Sequence, residues 1–101
     1  MAQRILVGEG AWAWDAAIVD WQANEVPLHH EGEPLRLDRL VRRAVSREWW
    51  VLDYKAAASP EQQDELIEQM RRYRAAVQAA YPGEPVKAAF LTGQGRLVVV
   101  S

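Results

Sequence analysis

Hydrophobic patterning along this chain predicts a single α/β (α+β) domain: a mixed sheet built from an antiparallel three-strand meander, one long helix and two further strands. Three observations predict it. Pro34 to Arg43 and Glu48 to Ala56 read as adjacent strands of a hairpin, symmetric about a turn centred between Val45 and Ser46 where the apolar alternation breaks. Leu66, Met70, Tyr73, Val77 and Ala80 then recur at helical spacing behind a serine–proline start, giving one stripe that faces a sheet. Two apolar runs, Val86 to Thr92 and Arg96 to Val100, flank Gly93-Gln94-Gly95 and complete the order strand meander, helix, strand pair.

Taken in order, residues 1–20 form a lead-in, with a short helix expected from Trp12, Trp14, Ile18, Val19 and Trp21. Trp21 to His30 is the first strand, and Pro27, which cannot donate to a ladder, requires an edge or a defect there. Glu31-Gly32-Glu33 is a turn. Ser59 is expected to cap the helix, with Pro60 in its first position and Gln62 as capping-box partner; Pro82-Gly83 ends it near Tyr81. Acidic residues in its first half and arginines beyond suit the helix dipole. The last strand is apolar enough to be central or covered on both faces.

Composition bounds the chemistry. At 101 residues the chain is one domain with one core, half apolar and about a quarter charged. No run approaches the roughly 18 to 20 apolar residues that span a bilayer, and Ile5-Leu6-Val7 is too short for a secretory signal, so a soluble, cytoplasmic protein without membrane contact is expected. Without cysteine, any metal must be held by oxygen or imidazole. The net charge of −2 is not that of a typical nucleic-acid binder. The arginines are nonetheless segregated: Arg36, Arg39, Arg42, Arg43 and Arg47 crowd the hairpin, and Arg71, Arg72 and Arg74 the helix, as solvated edges or as phosphate contacts. For Trp12, Trp14 and Trp21, burial against a neighbouring segment is expected over base stacking, and one at least of Trp49 and Trp50 belongs to the core.

The most informative residues lie on the hairpin. Side chains alternate along a strand, so Asp53 and Lys55 project together while Trp50, Leu52 and Tyr54 face the other way. Hairpin symmetry opposes Asp38 to Asp53, with Cβ atoms about 5 Å apart. Two carboxylates that close destabilise the fold unless a proton or cation lies between them, so the pattern asks for a divalent metal. Downstream, Gln69 and Tyr73 place two polar tips on one side of the helix.

Asp38-Arg39-Leu40, then Asp53-Tyr54-Lys55, then Gln69-x-x-x-Tyr73 resembles the PD-(D/E)XK nuclease superfamily, specifically the RecB/AddA-type nuclease domain at the C-terminus of UvrD-like helicase–nucleases. The resemblance covers roughly residues 25 to 100. It implies a restriction-endonuclease-like sheet and a magnesium- or manganese-dependent deoxyribonuclease that works in double-strand-break repair. Asp38 and Asp53 would be the metal ligands, Lys55 the catalytic lysine that orients or activates the attacking water, and Gln69 and Tyr73 supporting or DNA-binding residues. The implied partners are DNA, a helicase portion that would carry the ATP chemistry and offers a second surface for burying Trp12, Trp14 and Trp21, and an AddB-like or RecC-like subunit. The chain departs from the pattern at Leu35, where glycine is usual, and at Ala56, where serine or threonine is common. It also lacks a histidine upstream of the meander; Glu25 is the nearest substitute, and His29-His30 reads as an exposed strand end. These departures keep open a catalytically silent domain of the same fold, serving DNA binding or a partner surface, and an unrelated α/β domain whose aspartates pair with neighbouring arginines.

Overall fold

A computed structural model describes residues 8–100. The first part of the lead-in, including the Ile5–Val7 stretch weighed as a signal, lies outside the described residues, as does Ser101. The strands are β1 (Val19–His30), β2 (Glu33–Arg43), β3 (Trp49–Lys55), β4 (Val86–Thr92) and β5 (Leu97–Val100), and one helix, α1 (Asp64–Ala80), connects β3 to β4. They form one five-stranded sheet in the order β1-β2-β3-β4-β5. Every neighbouring pair is antiparallel except β3 and β4, which run parallel because the α1 crossover returns the chain to the end of the sheet where β3 began.

The hairpin symmetry holds. Arg42 pairs with Trp49, Val41 with Trp50, Leu40 with Val51 and Arg39 with Leu52, so the turn is centred between Val45 and Ser46. At the other end of β2, His30 pairs with Glu33 across a two-residue turn. Glu31 and Gly32 both have positive φ there, 52° and 80°, the combination of a type I′ turn that matches strand twist. A Cβ at Gly32 would meet no atom within 4 Å, so only the backbone conformation favours glycine. Gly32→Ala is therefore expected to cost about 1 kcal/mol, read as a lower urea midpoint, and Gly32→Asn less.

Two cores sandwich the sheet. On the α1 face, Leu37, Leu40, Trp49, Val51, Ala88, Phe90 and Val100 meet Met70, Tyr73 and Val77. On the opposite face, Val41, Trp50, Leu52, Ala89 and Leu91 meet Ala13, with Trp12 and Trp14 packed against them. Trp49 and Trp50 are both buried on opposite faces, as alternation requires.

Several expectations are corrected. Ser59 makes no capping hydrogen bond: Pro60–Gln62 is a separate 3-10 turn, and α1 begins at Asp64 with Gln63 in the capping position. Ala80 is exposed and Ala76 takes its place in the buried stripe, because 17 residues of helix drift off a strict four-three repeat. The lead-in is helical only at Ala11–Trp14, a 3-10 turn, and β1 starts at Val19. β5 is an edge strand with Val99 52% exposed; the strand covered on both faces is β4. Trp21 is 40% exposed, edge-on to Trp49, so the described segments of this chain do not bury it. The placing of Pro27 is borne out, since β1 is the other edge.

Candidate active site

The site forms where β2 leaves β3. Arg43 N–H donates to Glu48 C=O at 2.9 Å, so the hydrogen-bonded pairs continue through Val41/Trp50 to Arg39/Leu52. The next in that series would join Tyr54 to Leu37, but the pairing stops at Arg39. Tyr54 N–H instead donates to Asp38 Oδ2 at 2.9 Å. The half-buried Asp38 carboxylate thus occupies the gap opened between the strands, and a side chain replaces a main-chain acceptor.

The cause lies one strand further out. Glu25, between the pairs Asn24/Arg39 and Val26/Leu37, has φ 52°, left-handed backbone inside a strand. A residue of that kind reverses the alternation. Asn24 and Arg39 accordingly belong to the Trp14 face, whereas Val26 and Leu37 belong to the α1 core. Both strands of the hairpin change faces at the level of Asp38.

On β3 alternation is undisturbed. Asp53 and Lys55 share the α1 face, and Lys55 Nζ lies 2.9 Å from Asp53 Oδ2. Asp53 is 5% exposed, and Oδ2 has no aligned hydrogen-bond donor: the lysine is an ion-pair contact. Burial first, and then the adjoining Asp38 carboxyl, push the Asp53 acid up to about 6, against the opposing pull of Lys55. Tyr73, buried on α1, faces the same charges; burial, then Asp53 and Asp38, raise its phenol. Gln69, one turn earlier, is half-buried on the same helix. Asp38, Asp53, Lys55 and Tyr73 therefore converge.

Other candidates do not join them. Glu25 pairs with Arg36 at 2.7 Å and both side chains are exposed, so it does not stand in as a ligand. Among the described residues, no group of three or more histidine, cysteine, aspartate or glutamate side chains is placed to hold a metal. The two carboxylates still suit magnesium, which is commonly held by one or two of them while water and substrate phosphate complete its shell. Asp53 Oδ2, buried and met only by the Lys55 ion pair without an aligned donor, is the atom such an ion would satisfy.

Arg39 overturns the choice between solvated edge and phosphate contact. It is 3% exposed and lies over the Trp14 ring at 4.4 Å. Its guanidinium donates to Asn24 Oδ1 at 2.7 Å, Ala13 C=O at 2.7 Å and Gln22 Oε1 at 2.5 Å. Burial lowers its pKa. It clamps the 3-10 turn to the back of the sheet, away from the carboxylates. Nothing in its sequence neighbourhood signals this, because its partners come from two other segments, the 3-10 turn and β1.

No protein-family model matches the chain, and no curated protein matches it.

Proposed function

We propose that the chain is a magnesium-dependent DNA nuclease module of the PD-(D/E)XK type. The observation that supports it best is the convergence of Asp38, Asp53 and Lys55 where β2 parts from β3, with a buried carboxylate oxygen that lacks an aligned donor. Asp38 and Asp53 would hold magnesium, or manganese in its place. Such an ion supplies polarisation of the phosphoryl oxygen and a more acidic water. Lys55, fixed by Asp53, positions the attacking water and offsets the negative charge that gathers on phosphorus-bound oxygens as the P–O bond to the leaving strand breaks. Tyr73 borders the carboxylates from α1, and Gln69 supports that side. In this reading the restriction-endonuclease-like fold, the DNA-repair role, the ATP-using helicase portion and the AddB-like or RecC-like partner belong to the same proposal.

The two-carboxylate site also favours a second reading, a silent domain of this fold that binds DNA or a partner without cutting. Incubation of the chain with linear single- and double-stranded DNA, with magnesium, manganese or chelator, separates the two. Slow, metal-dependent cleavage that needs excess ion is expected of the chain alone, because two carboxylates hold magnesium loosely. DNA binding with no cleavage at any metal concentration would leave the silent domain.

A further inference from the structure

We propose that the groove between the tip of the β1–β2 hairpin and the middle of α1 is the track that holds the phosphates of a single DNA strand and leads it to the carboxylates, an inference that rests on the nuclease reading. The groove measures about 340 Å³ and is lined by His30, Glu31, Glu33 and Leu35 from the hairpin and by Arg71, Arg72 and Ala75 from the helix. A sugar–phosphate segment of one strand fits that volume.

Three features support this occupant. Guanidinium groups present several donors in a plane that matches phosphate oxygens, and Leu35 adds an apolar wall for sugar or base. Two of the acids that engage the arginines do so at the surface: Arg72 Nη1 lies 3.7 Å from Glu33 Oε2, and Arg71 Nη1 lies 2.9 Å from Glu68 Oε1, all four side chains at least half exposed. Pairs so exposed are weak and exchange readily for a phosphate. Finally, the groove lies on the same strand and helix as the site, though the carboxylates do not line it. Leu35 precedes Asp38 on β2 by roughly 10 Å of strand at ~3.3 Å per residue, and Arg72 acts on the Tyr73 phenol together with Asp53, Asp38 and Lys55. Two carboxylates repel a nucleic-acid backbone, so a strand brought to them needs cationic guidance close by.

The test is binding of a fluorescein-labelled single-stranded oligonucleotide, followed by anisotropy in chelator, beside cleavage assays in magnesium. Arg71→Ala with Arg72→Ala is expected to lower affinity at least about tenfold and to flatten the plot of log K against log salt by about 1.4, two contacts at ~0.7 each for single strands. In cleavage, KM should rise while kcat changes little. Arg71→Lys with Arg72→Lys should recover part of the affinity, and Arg47→Asn, in the exposed β2–β3 turn, should change nothing. A matching duplex should bind more weakly than the single strand. Unchanged affinity and salt slope in the alanine double variant, or no preference over duplex, overturns the track. Loss of cleavage in Asp53→Ala alongside unaltered binding in the arginine variant would refute the track and leave the nuclease reading standing. Normal groove binding with no cleavage by the unmodified chain would refute that reading instead.

Discussion

On the proposed nuclease reading, replacing Lys55 or Asp53 by alanine is expected to abolish magnesium-dependent DNA cleavage, with kcat falling at least about 10²–10³-fold, the scale of removing one charge-stabilising group from a transition state. Lys55 is the cation that lies against Asp53, 2.9 Å from it. Its removal takes away charge stabilisation without opening the core, since its side chain is already partly in water. Asp53→Ala removes the proposed buried ligand itself. In a parent that carries a helicase, ATP-driven unwinding should be unaffected, because neither residue belongs to a motor. Product yield per unit time, with circular dichroism to show that each variant is folded, reads the outcome. Unaltered cleavage in Asp53→Ala would remove these residues from the chemistry.

The same buried acid makes a second, opposite effect on stability. In the folded chain Asp53 titrates at about 6, against 3.8 when it is unperturbed. A raised folded pKa means that the folded state binds the proton more tightly. Its stabilising contribution is complete below pH 3.8 and is lost as pH rises through 6. The difference of about two pKa units corresponds to roughly 3 kcal/mol at neutral pH. Asp53→Asn imitates the protonated acid, still able to donate to Asp38, and escapes that loss. The variant should be more stable than the unmodified chain at pH 7.5, with Tm higher by about 5 °C or more, and the gap should close near pH 4. A variant that melts later while losing the proposed cleavage is the expected signature of a site built from mutually repelling groups. A destabilised Asp53→Asn at pH 7.5 would show that Lys55, and not Asp38, dominates the surroundings of this carboxylate.

Much of this was legible because it depends on local periodicity. The β2–β3 hairpin could be centred from the break in alternation at Val45-Ser46, and that symmetry alone brought Asp38 opposite Asp53. The shared face of Asp53 and Lys55 follows from a strand's two-residue repeat, and Met70, Tyr73 and Val77 from the helical one. What was hidden depends on non-local pairing. The reversal of faces at Glu25 has no sequence mark, since a glutamate with positive φ is held there by its neighbours in the sheet. Arg39 therefore reads from the sequence as a solvated edge or a phosphate contact, whereas it is the buried clamp on Ala13 and Trp14. β5 reads as buried from four apolar residues, Leu97-Val98-Val99-Val100, yet an edge position follows from its pairing with β4 alone. The groove at Arg71 and Arg72 became visible only when the Glu31-Gly32 turn was seen to bring His30 and Glu33 over the helix.

The central claim is that Asp38 and Asp53 share one divalent cation, and manganese titration followed by electron paramagnetic resonance measures it without reliance on activity. The unmodified chain should take up one manganese ion per molecule, displaced by excess magnesium, and Asp38→Asn and Asp53→Asn should each abolish the uptake while Glu25→Gln leaves it intact. Free manganese that stays undiminished in the presence of the unmodified chain, or uptake that survives both asparagine substitutions, would contradict it.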